Sequence, residues 1–541
     1  MTQNASTPLS VPSSAPGGAA EAASAIAPAL VSGIGADEPI LDVLIVGAGL
    51  SGIGAAWHLQ RGCPGKRYAI LEARAAIGGT WDLFRYPGVR SDSDMYTLGY
   101  TFQPWIEGKA IADGPSIRRY IAQTARKGGI DHHIRFNHKL VLAAWSSREA
   151  CWRVEVEVSA PVDAESAAES ASEPVPHPPA VRRTLRTRFL HMCSGYYSYD
   201  EAHRPRFDGE EAFLGRIVQP QFWPQDLDWR GKRVVVVGSG ATAVTLVPTM
   251  AQEAAHVTML QRSPTYIVSR PSDYRFARRL RRWLPPNLAY ALTRWRVITE
   301  SMLLYRVARN KPALARKKIV AMARRQLGPG AEVAPHFTPE YDPWDQRICV
   351  APDGDLFKAI RDGRAAVVTD HIGRFTPDGM LLTSGQAIRA DIVVLATGLK
   401  IKVLGGIAIT IDGQAWHASE AMSYKGMMLS GLPNCVMTFG YTNASWTLKA
   451  DLTAAWVPRL LRYMDRHGLA SAVPLREPGV EPRPFLGFTS GYVRRAEGEL
   501  PKQGSRPPWQ VHQNYLRDML TIRFGRIADG VLHFTAKEKP Q

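Results

Sequence analysis

Cysteine is scarce in this 541-residue chain, which has five: Cys63, Cys151, Cys193, Cys349 and Cys435. They are scattered and odd in number. None forms a CxxC pair or a Cys/His spacing suited to zinc. This excludes a disulfide framework, a redox dithiol and a structural metal, and it fits a reduced cytoplasmic protein. No apolar run reaches the roughly 20 residues that a membrane-spanning helix needs. No lysine or arginine precedes Arg61, so neither a secretory leader nor an arginine-rich mitochondrial targeting segment is expected. Acidic residues are rare in one place above all. Residues 270–325 hold 16 Lys/Arg against only Asp273 and Glu300, so most of the chain's net charge of +17 sits there. No nucleic-acid recognition motif accompanies that charge, and no nucleic-acid partner is expected. Apolar residues recur in the segment at mixed three- and four-residue spacing. It therefore reads as amphipathic helices with a solvated basic face, the second reading being peripheral contact with a membrane surface.

The rest of the chain has ordinary globular composition, and its length points to more than one domain. Residues 1–38 are Ala, Ser, Pro and Gly with almost no charge, and residues 159–181 are similar. Neither can bury enough apolar surface to order itself, so a disordered tail and a flexible hairpin loop are expected.

Between them lie two strand–glycine–helix units. The first, "DVLIVGAGLSGIGAAWHL", runs from a buried-strand pattern into Gly47, Gly49 and Gly52. The first glycine permits the tight turn, the second lets backbone approach a pyrophosphate, and the third allows close helix–strand packing. The next strand, "RYAILEA", ends in Glu72, at the distance from the glycines where a carboxylate accepts hydrogen bonds from an adenosine ribose. The second unit, "RVVVVGSGATAVTLVPTMA", carries Gly238-x-Gly240-x-x-Ala243. Its following strand ends in Gln261-Arg262-Ser263 rather than an acid. A carboxylate there would repel a 2′-phosphate, whereas an arginine pairs with one, so this unit should prefer NADPH. Two dinucleotide sites imply a flavin, FAD, and a nicotinamide that brings it hydride.

The expected fold is α/β, with two Rossmann-like domains and a helical insertion. The run "ADIVVLATGL" (390–399) is expected to return the chain to the first domain. The FAD domain is then 39–214 and 385–541, interrupted by an NADPH domain of 215–275 and 339–384. Helices over 276–338 are inserted in the latter.

Just before the second unit stands "FLGRIVQPQFWP" (213–224). With the two glycine motifs, this stretch resembles the F-x-G-x-x-x-H-x-x-x-W-P signature of the class B flavin-containing Baeyer–Villiger monooxygenases. Phe213, Gly215, Trp223 and Pro224 match, and Gln219 replaces the histidine. Longer strings are similar to the ethionamide-activating group of that family: "GGTWDLFRYPGVRSDSDMYTLGY", "SGYYSYDE", "GSGATAVTLVP", "MLQRSPTYIVS", "YDPWDQR", "YKGMMLSG", "GYTNASWTLKADL" and "ELPKQGSRPPW". The resemblance runs from about residue 40 to about residue 535.

The resemblance implies that NADPH reduces FAD and that the reduced flavin takes molecular oxygen to a C4a-peroxyflavin. That species converts a ketone to an ester or lactone, or oxygenates a sulfide or thioamide sulfur as a side activity. It implies Arg347 as the fixed cation of the reaction, with Asp92 orienting and pairing with it. It places Ser51, Glu72, Thr80, Trp81, Asp82 and Leu83 at FAD, with Leu140 near the adenine. Arg90, Ser91 and Asp92 fall where nicotinamide meets flavin. Gly238, Ser239, Gly240, Ala241, Thr242, Ala243 and Val244 cradle the NADPH pyrophosphate, while Arg262 and Ser263 take the 2′-phosphate. Many relatives have Lys-Arg where this chain has Gln346-Arg347, which loads more of the NADPH preference onto Arg262.

Two alternatives stand beside this reading. One is a heteroatom flavin monooxygenase, against which Trp223-Pro224 argues. The other is a degenerate flavin oxidase or redox-responsive binding protein, for which only Gln219 speaks. A disulfide reductase would need the cysteine pair that is missing.

Overall fold

Two sheets of parallel strands carry the architecture. The computed structural model describes residues 38–160 and 180–537. The expected tail up to residue 37, and residues 161–179 of the expected loop, lie outside the described residues. In the first sheet the order is Cys435–Met437, Leu190–Met192, Val43–Val46, Tyr68–Leu71, Ile134–Arg135, all parallel. The two central strands, VLIV and YAIL, are buried along their whole length. Parallel strands covered on both faces have no solvent side to alternate with, which is why the sequence shows them as unbroken apolar runs. The helix Leu50–Gly62 follows the first strand at once. A Cβ on Gly52 would sit 1.8 Å from the carbonyl oxygen of Gly47, so only glycine lets this helix start so close to the strand.

The second sheet has the order Ala365–Thr369, His256–Gln261, Arg233–Val237, Ile392–Leu395, Arg216–Val218, again all parallel. One expectation is corrected here. Ile392–Leu395 was expected to return the chain to the first domain, but it pairs with Arg233–Val237 inside the second sheet. A short, fully buried apolar strand fits either parallel sheet equally well, so its sequence pattern cannot choose between them. The return begins at Leu399–Ile401, which pairs antiparallel with Tyr197–Ala202. It is completed at Cys435–Met437 in the first sheet. The signature stretch also enters the second sheet, because its residues Arg216–Val218 form the edge strand.

The basic segment folds as the helices Arg275–Trp283, Pro286–Asn310 and Pro312–Leu327, followed by the short Ala334–Phe337. By chain order it is an insertion in the second domain, yet it binds the first as well. Arg294, on the buried face of Pro286–Asn310, donates from Nη1 to the carbonyl oxygens of Tyr96 at 2.7 Å and Gly99 at 2.8 Å. Ala323 and Leu327 of the next helix join the core of the second domain. The insertion therefore bridges the two.

A third helix system closes the first domain. Trp446–Arg466 packs along Leu50–Gly62, so tightly that a Cβ on Gly62 would meet Pro458 at 2.4 Å. Its Lys449 is buried and forms an ion pair with the equally buried Asp518 at 2.7 Å. Burial pulls the Lys449 ammonium down from its ordinary range, and Asp518 opposes that pull. Tyr441 also donates its hydroxyl to Asp518, at 2.7 Å. Removing one partner of such a pair leaves a buried charge alone. Lys449→Met is expected to lower stability by about 3–5 kcal/mol, and the double replacement Lys449→Met/Asp518→Leu to recover part of it. Unfolding midpoints of the three proteins in urea check this.

Candidate functional site

A cleft of about 470 Å³ opens at the carboxyl ends of the first sheet's strands and runs to the second glycine loop. Ligands in open α/β sheets bind at this edge. Gly47, Gly49, Ser51, Glu72, Thr80, Trp81, Arg90, Ser91, Asp92, Leu140, Ala241 and Arg347 all line it. Residues drawn from stretches more than 300 positions apart are thus brought to one cavity.

At the near end the walls are glycine backbone. A Cβ on Gly49 would lie 3.5 Å from the Cα of Gly79, so two side-chain-free segments touch each other at the cleft wall. The helix Leu50–Gly62 begins there with no side-chain cap, which leaves its first N–H groups and its positive end for an anion. Glu72 is 4% exposed. Its Oε2 accepts from the Ala48 N–H at 2.8 Å and its Oε1 from the Arg74 N–H at 3.0 Å. Burial nevertheless pushes its carboxyl above the usual range. Each oxygen keeps a lone pair for a hydroxyl donor. Ser51 accepts from the indole N–H of Trp446 at 2.8 Å, and Trp446 is stacked on Tyr196 with ring centroids 5.2 Å apart. Thr80 accepts from the Tyr197 hydroxyl at 2.5 Å.

Three residues expected at this end stand behind the cleft wall. Gly52 is buried in the strand–helix turn. Asp82 and Leu83 are also buried, on the short helix Thr80–Leu83. Asp82 faces Arg74 at 2.6 Å, Arg85 at 3.4 Å and Arg118 at 3.6 Å. That carboxylate is occupied by arginines and holds the wall in place.

At the far end, Asp92 and Arg347 face the same cavity. Burial pushes the Asp92 carboxyl up, while Arg347 and then Arg90 pull it back. Burial also works against the Arg347 charge, but Asp92, Tyr196, Tyr492 and Cys349 together hold its pKa above the ordinary value. The two attract each other through the cleft, yet no direct ion pair joins them among the described residues. The expected pairing is corrected accordingly: the arginine's donors remain free toward the cavity. Arg90 reaches from the first domain to Asp355, at the start of the second domain's helix Asp355–Arg361, at 2.5 Å. Its Nε and Nη2 are buried without a partner, so two donors wait at the junction of the two domains.

The second glycine loop lies at the matching edge of the second sheet. Gly238 has φ +135°, and a Cβ there would meet the Ala396 carbonyl at 2.4 Å, so the protein itself requires this glycine. Gly240 differs: it is exposed, and a Cβ would meet nothing within 4 Å. Ser239 bonds to Thr265 at 2.7 Å and to the Ser263 carbonyl at 3.1 Å. Arg262 and Ser263 are exposed at the end of strand His256–Gln261. Thr242 faces the Tyr86 phenol, which burial pushes up to about 12. Ala243 and Val244 are buried under the helix. Of this loop only Ala241 lines the first cleft.

Sequence reasoning missed Tyr86, Arg74, Tyr196 and Trp446. The last two lie in "SGYYSYDE" and "GYTNASWTLKADL", strings that carried the resemblance but whose spacing assigned no role. Gln219 stands between the edge strand and the turn Pro220–Phe222, with its side-chain Nε2 buried and without a partner. Two residues on, the buried Gln221 donates to the carbonyls of Ser198 at 2.9 Å and Tyr199 at 3.1 Å.

Comparison with known proteins gives the family and the fold. Residues 45–107 match the NAD(P)-binding Rossmann-like domain, and residues 188–323 match the flavin-binding monooxygenase-like family. The chain is 53% identical over 503 residues to the FAD-containing monooxygenase EthA of Mycobacterium tuberculosis, covering 92% of this chain and 99% of that protein. It is 46% identical over 503 residues to the probable FAD-binding monooxygenase AlmA of Acinetobacter baylyi, covering 92% and 97%. Among solved structures, an oxidized steroid monooxygenase bound to NADP superposes with a TM-score of 0.68 at 22% identity, over 92% of this chain and 100% of that one. A cyclohexanone monooxygenase from Rhodococcus bound to NADP+ gives 0.68 at 17% identity, over 93% and 100%. These two share the fold.

Because nothing in the protein fills the space beside Gly240, its glycine identity is expected to matter to a ligand and not to the fold. Gly240→Ala should change stability by less than about 1 kcal/mol. It should raise the KM for the dinucleotide about tenfold or more, since backbone must approach the pyrophosphate there. Unfolding midpoints and steady-state kinetics on the same preparation separate the two effects.

Proposed function

The chain belongs to the FAD-containing monooxygenases of the flavin-binding monooxygenase-like family, and we propose that within it the protein is an NADPH-dependent Baeyer–Villiger monooxygenase. The observation that carries this reading is the placement of Arg347 and Asp92 on the one cleft that begins at the first glycine loop and ends at the second. In the family's chemistry, bound FAD accepts hydride from the nicotinamide and activates oxygen.

This chain's residues supply the rest. The uncapped helix at Gly49 takes the FAD pyrophosphate, and Glu72 takes ribose hydroxyls. The second loop takes NADPH, with Arg262 on its 2′-phosphate. The unpartnered Nε and Nη2 of Arg90 bond at the junction where nicotinamide meets flavin. Arg347 stays charged at any working pH, and its donors are not consumed by a carboxylate. It therefore stabilises the anionic oxygen that develops as a ketone is attacked and rearranges to an ester or lactone. Asp92 acts on Arg347 through the field of the cleft and fixes where that charge sits. The aromatic wall of Tyr196 and Trp446 keeps water from the reacting atoms. The same site would oxygenate a sulfide or thioamide sulfur, which needs no carbonyl rearrangement.

No helix among the described residues is long and apolar enough to cross a membrane. The insertion nevertheless exposes Trp283, Leu288, Leu303 and Leu304 among its arginines. That supports peripheral contact with an anionic membrane as a secondary feature.

Aerobic incubation with NADPH and a panel of linear, cyclic and aryl ketones plus aryl sulfides, read by mass spectrometry, tests the reading. Esters or lactones formed mole for mole with NADPH are expected. Sulfoxides alone would indicate a heteroatom oxygenase, and hydrogen peroxide without product would indicate an oxidase. Arg347→Ala should keep its FAD and still oxidise NADPH, with ester formation falling by about two to three orders of magnitude. Ester formation at the wild-type rate would remove Arg347 from the mechanism. Gln219 sits at the entry to the second sheet, where it can affect how nucleotide binding is coupled to oxygenation. Gln219→His is expected to lower the share of NADPH lost to hydrogen peroxide. An unchanged product-to-NADPH ratio would discard that role.

A further inference from the structure

Arg262 and Arg495 have no carboxylate partner among the described residues. Both are exposed. Arg495 ends the short helix Gly491–Arg495, which belongs to the first domain: its Val493 and the following Ala496 are buried in that domain's core. The helix packs on the strand Leu399–Ile401. This brings the Arg495 guanidinium to the second domain. Its Nη2 would lie 3.6 Å from a Cβ on Gly398, just past the end of strand Ile392–Leu395. Two residues back, the Ala396 carbonyl is the group against which Gly238 is pressed. Arg495 therefore stands at the carboxyl edge of the second sheet, beside the glycine loop, where an α/β sheet binds its ligand.

The segment just before this helix is tied to the loop that carries Gln346. The Thr489 N–H donates to the Asp345 carbonyl at 3.0 Å, and the Thr489 hydroxyl to the same oxygen at 3.2 Å. Arg495 and Arg262 feel each other: burial and then Arg262 lower the Arg495 pKa. His203, whose carbonyl accepts from Thr397 at 2.8 Å, is lowered by burial and then by both arginines. Isolated surface arginines are commonly just solvated. Here two of them stand within each other's field, Arg495 beside Gly398, and neither has a carboxylate partner among the described residues. That concentration of positive charge is unfavourable until an anion enters it.

We propose that Arg495 is a second phosphate-reading cation of the NADPH site, which joins Arg262 on the 2′-phosphate and supplies the charge that Gln346 does not. The inference rests on the NADPH reading above. It adds a residue from the other domain, so selection of the nucleotide requires both domains to be in place.

The test uses flavin-loaded wild-type, Arg495→Ala and Arg495→Lys enzyme. It measures KM and kcat with NADPH and with NADH, and binding of 2′,5′-ADP and 5′-ADP by calorimetry. For Arg495→Ala, the KM for NADPH and the Kd for 2′,5′-ADP should rise about tenfold, as expected for a lost charge-assisted bond. The KM for NADH, the Kd for 5′-ADP and the FAD content should stay near wild type, and Arg495→Lys should recover most of the loss. Parallel weakening of both nucleotides, or no change in either, would overturn the role of Arg495. Wild-type enzyme that binds 5′-ADP as tightly as 2′,5′-ADP would instead overturn the NADPH reading itself, and the proposal with it.

Discussion

The ion pair between Arg90 and Asp355 is the contact on which the site depends. It joins a loop of the first domain to the first turn of a helix in the second, at 2.5 Å and largely out of solvent. A half-buried pair of this kind contributes little net stability, because desolvation offsets most of the attraction. What it contributes is register. Held there, the carboxyl edges of two parallel sheets meet at one cleft, and Arg90 keeps two donors free beside Asp92 and Arg347. Without that register the two glycine loops would be two ordinary nucleotide sites with no shared chemistry.

Several features of this arrangement were legible in the residues alone, for physical reasons that can be named. Gly47 and Gly52 are demanded by the protein's own backbone, so they appear with fixed spacing after a buried strand. Glu72 follows because a parallel neighbour strand must end level with them. Arg347 and Asp92 lie some 250 positions apart, and only the resemblance placed them together; the structure sets them on one cleft but not in contact. Asp82 shows the opposite case. It adjoins true lining residues in sequence, yet faces away, because a four-residue helix turns successive side chains to different sides. The strand Ile392–Leu395 could not be assigned from its pattern, since burial on both faces erases the information about which sheet it joins.

The parts that sequence left silent are those that cross between domains. The basic insertion belongs to the second domain by chain order, but Arg294 fastens it to the backbone of the first. The helix carrying Arg495 is rooted in the first domain's core and presents its last side chain to the second. In both cases a long cationic side chain does the reaching. Such reach depends on where two separately folded surfaces meet, which no local periodicity records.

The ribbon formed by Tyr197–Ala202 and Leu399–Ile401 has a mechanical consequence. These are the two passages of the chain between the domains, and they are hydrogen-bonded to each other. Gln221 adds a third strap, fastening the signature stretch to the same backbone. Two separate tethers would let the domains swing apart like a door on loose cords. A single bonded ribbon leaves them one soft coordinate, a torsion about its long axis. The helix Pro286–Asn310 acts as an outrigger that limits its range. Opening and closing of the cleft is then a twist with a defined axis. The residues that set its stiffness are in the ribbon, whose Tyr197, Ser198, Tyr199 and Asp200 also line the cleft.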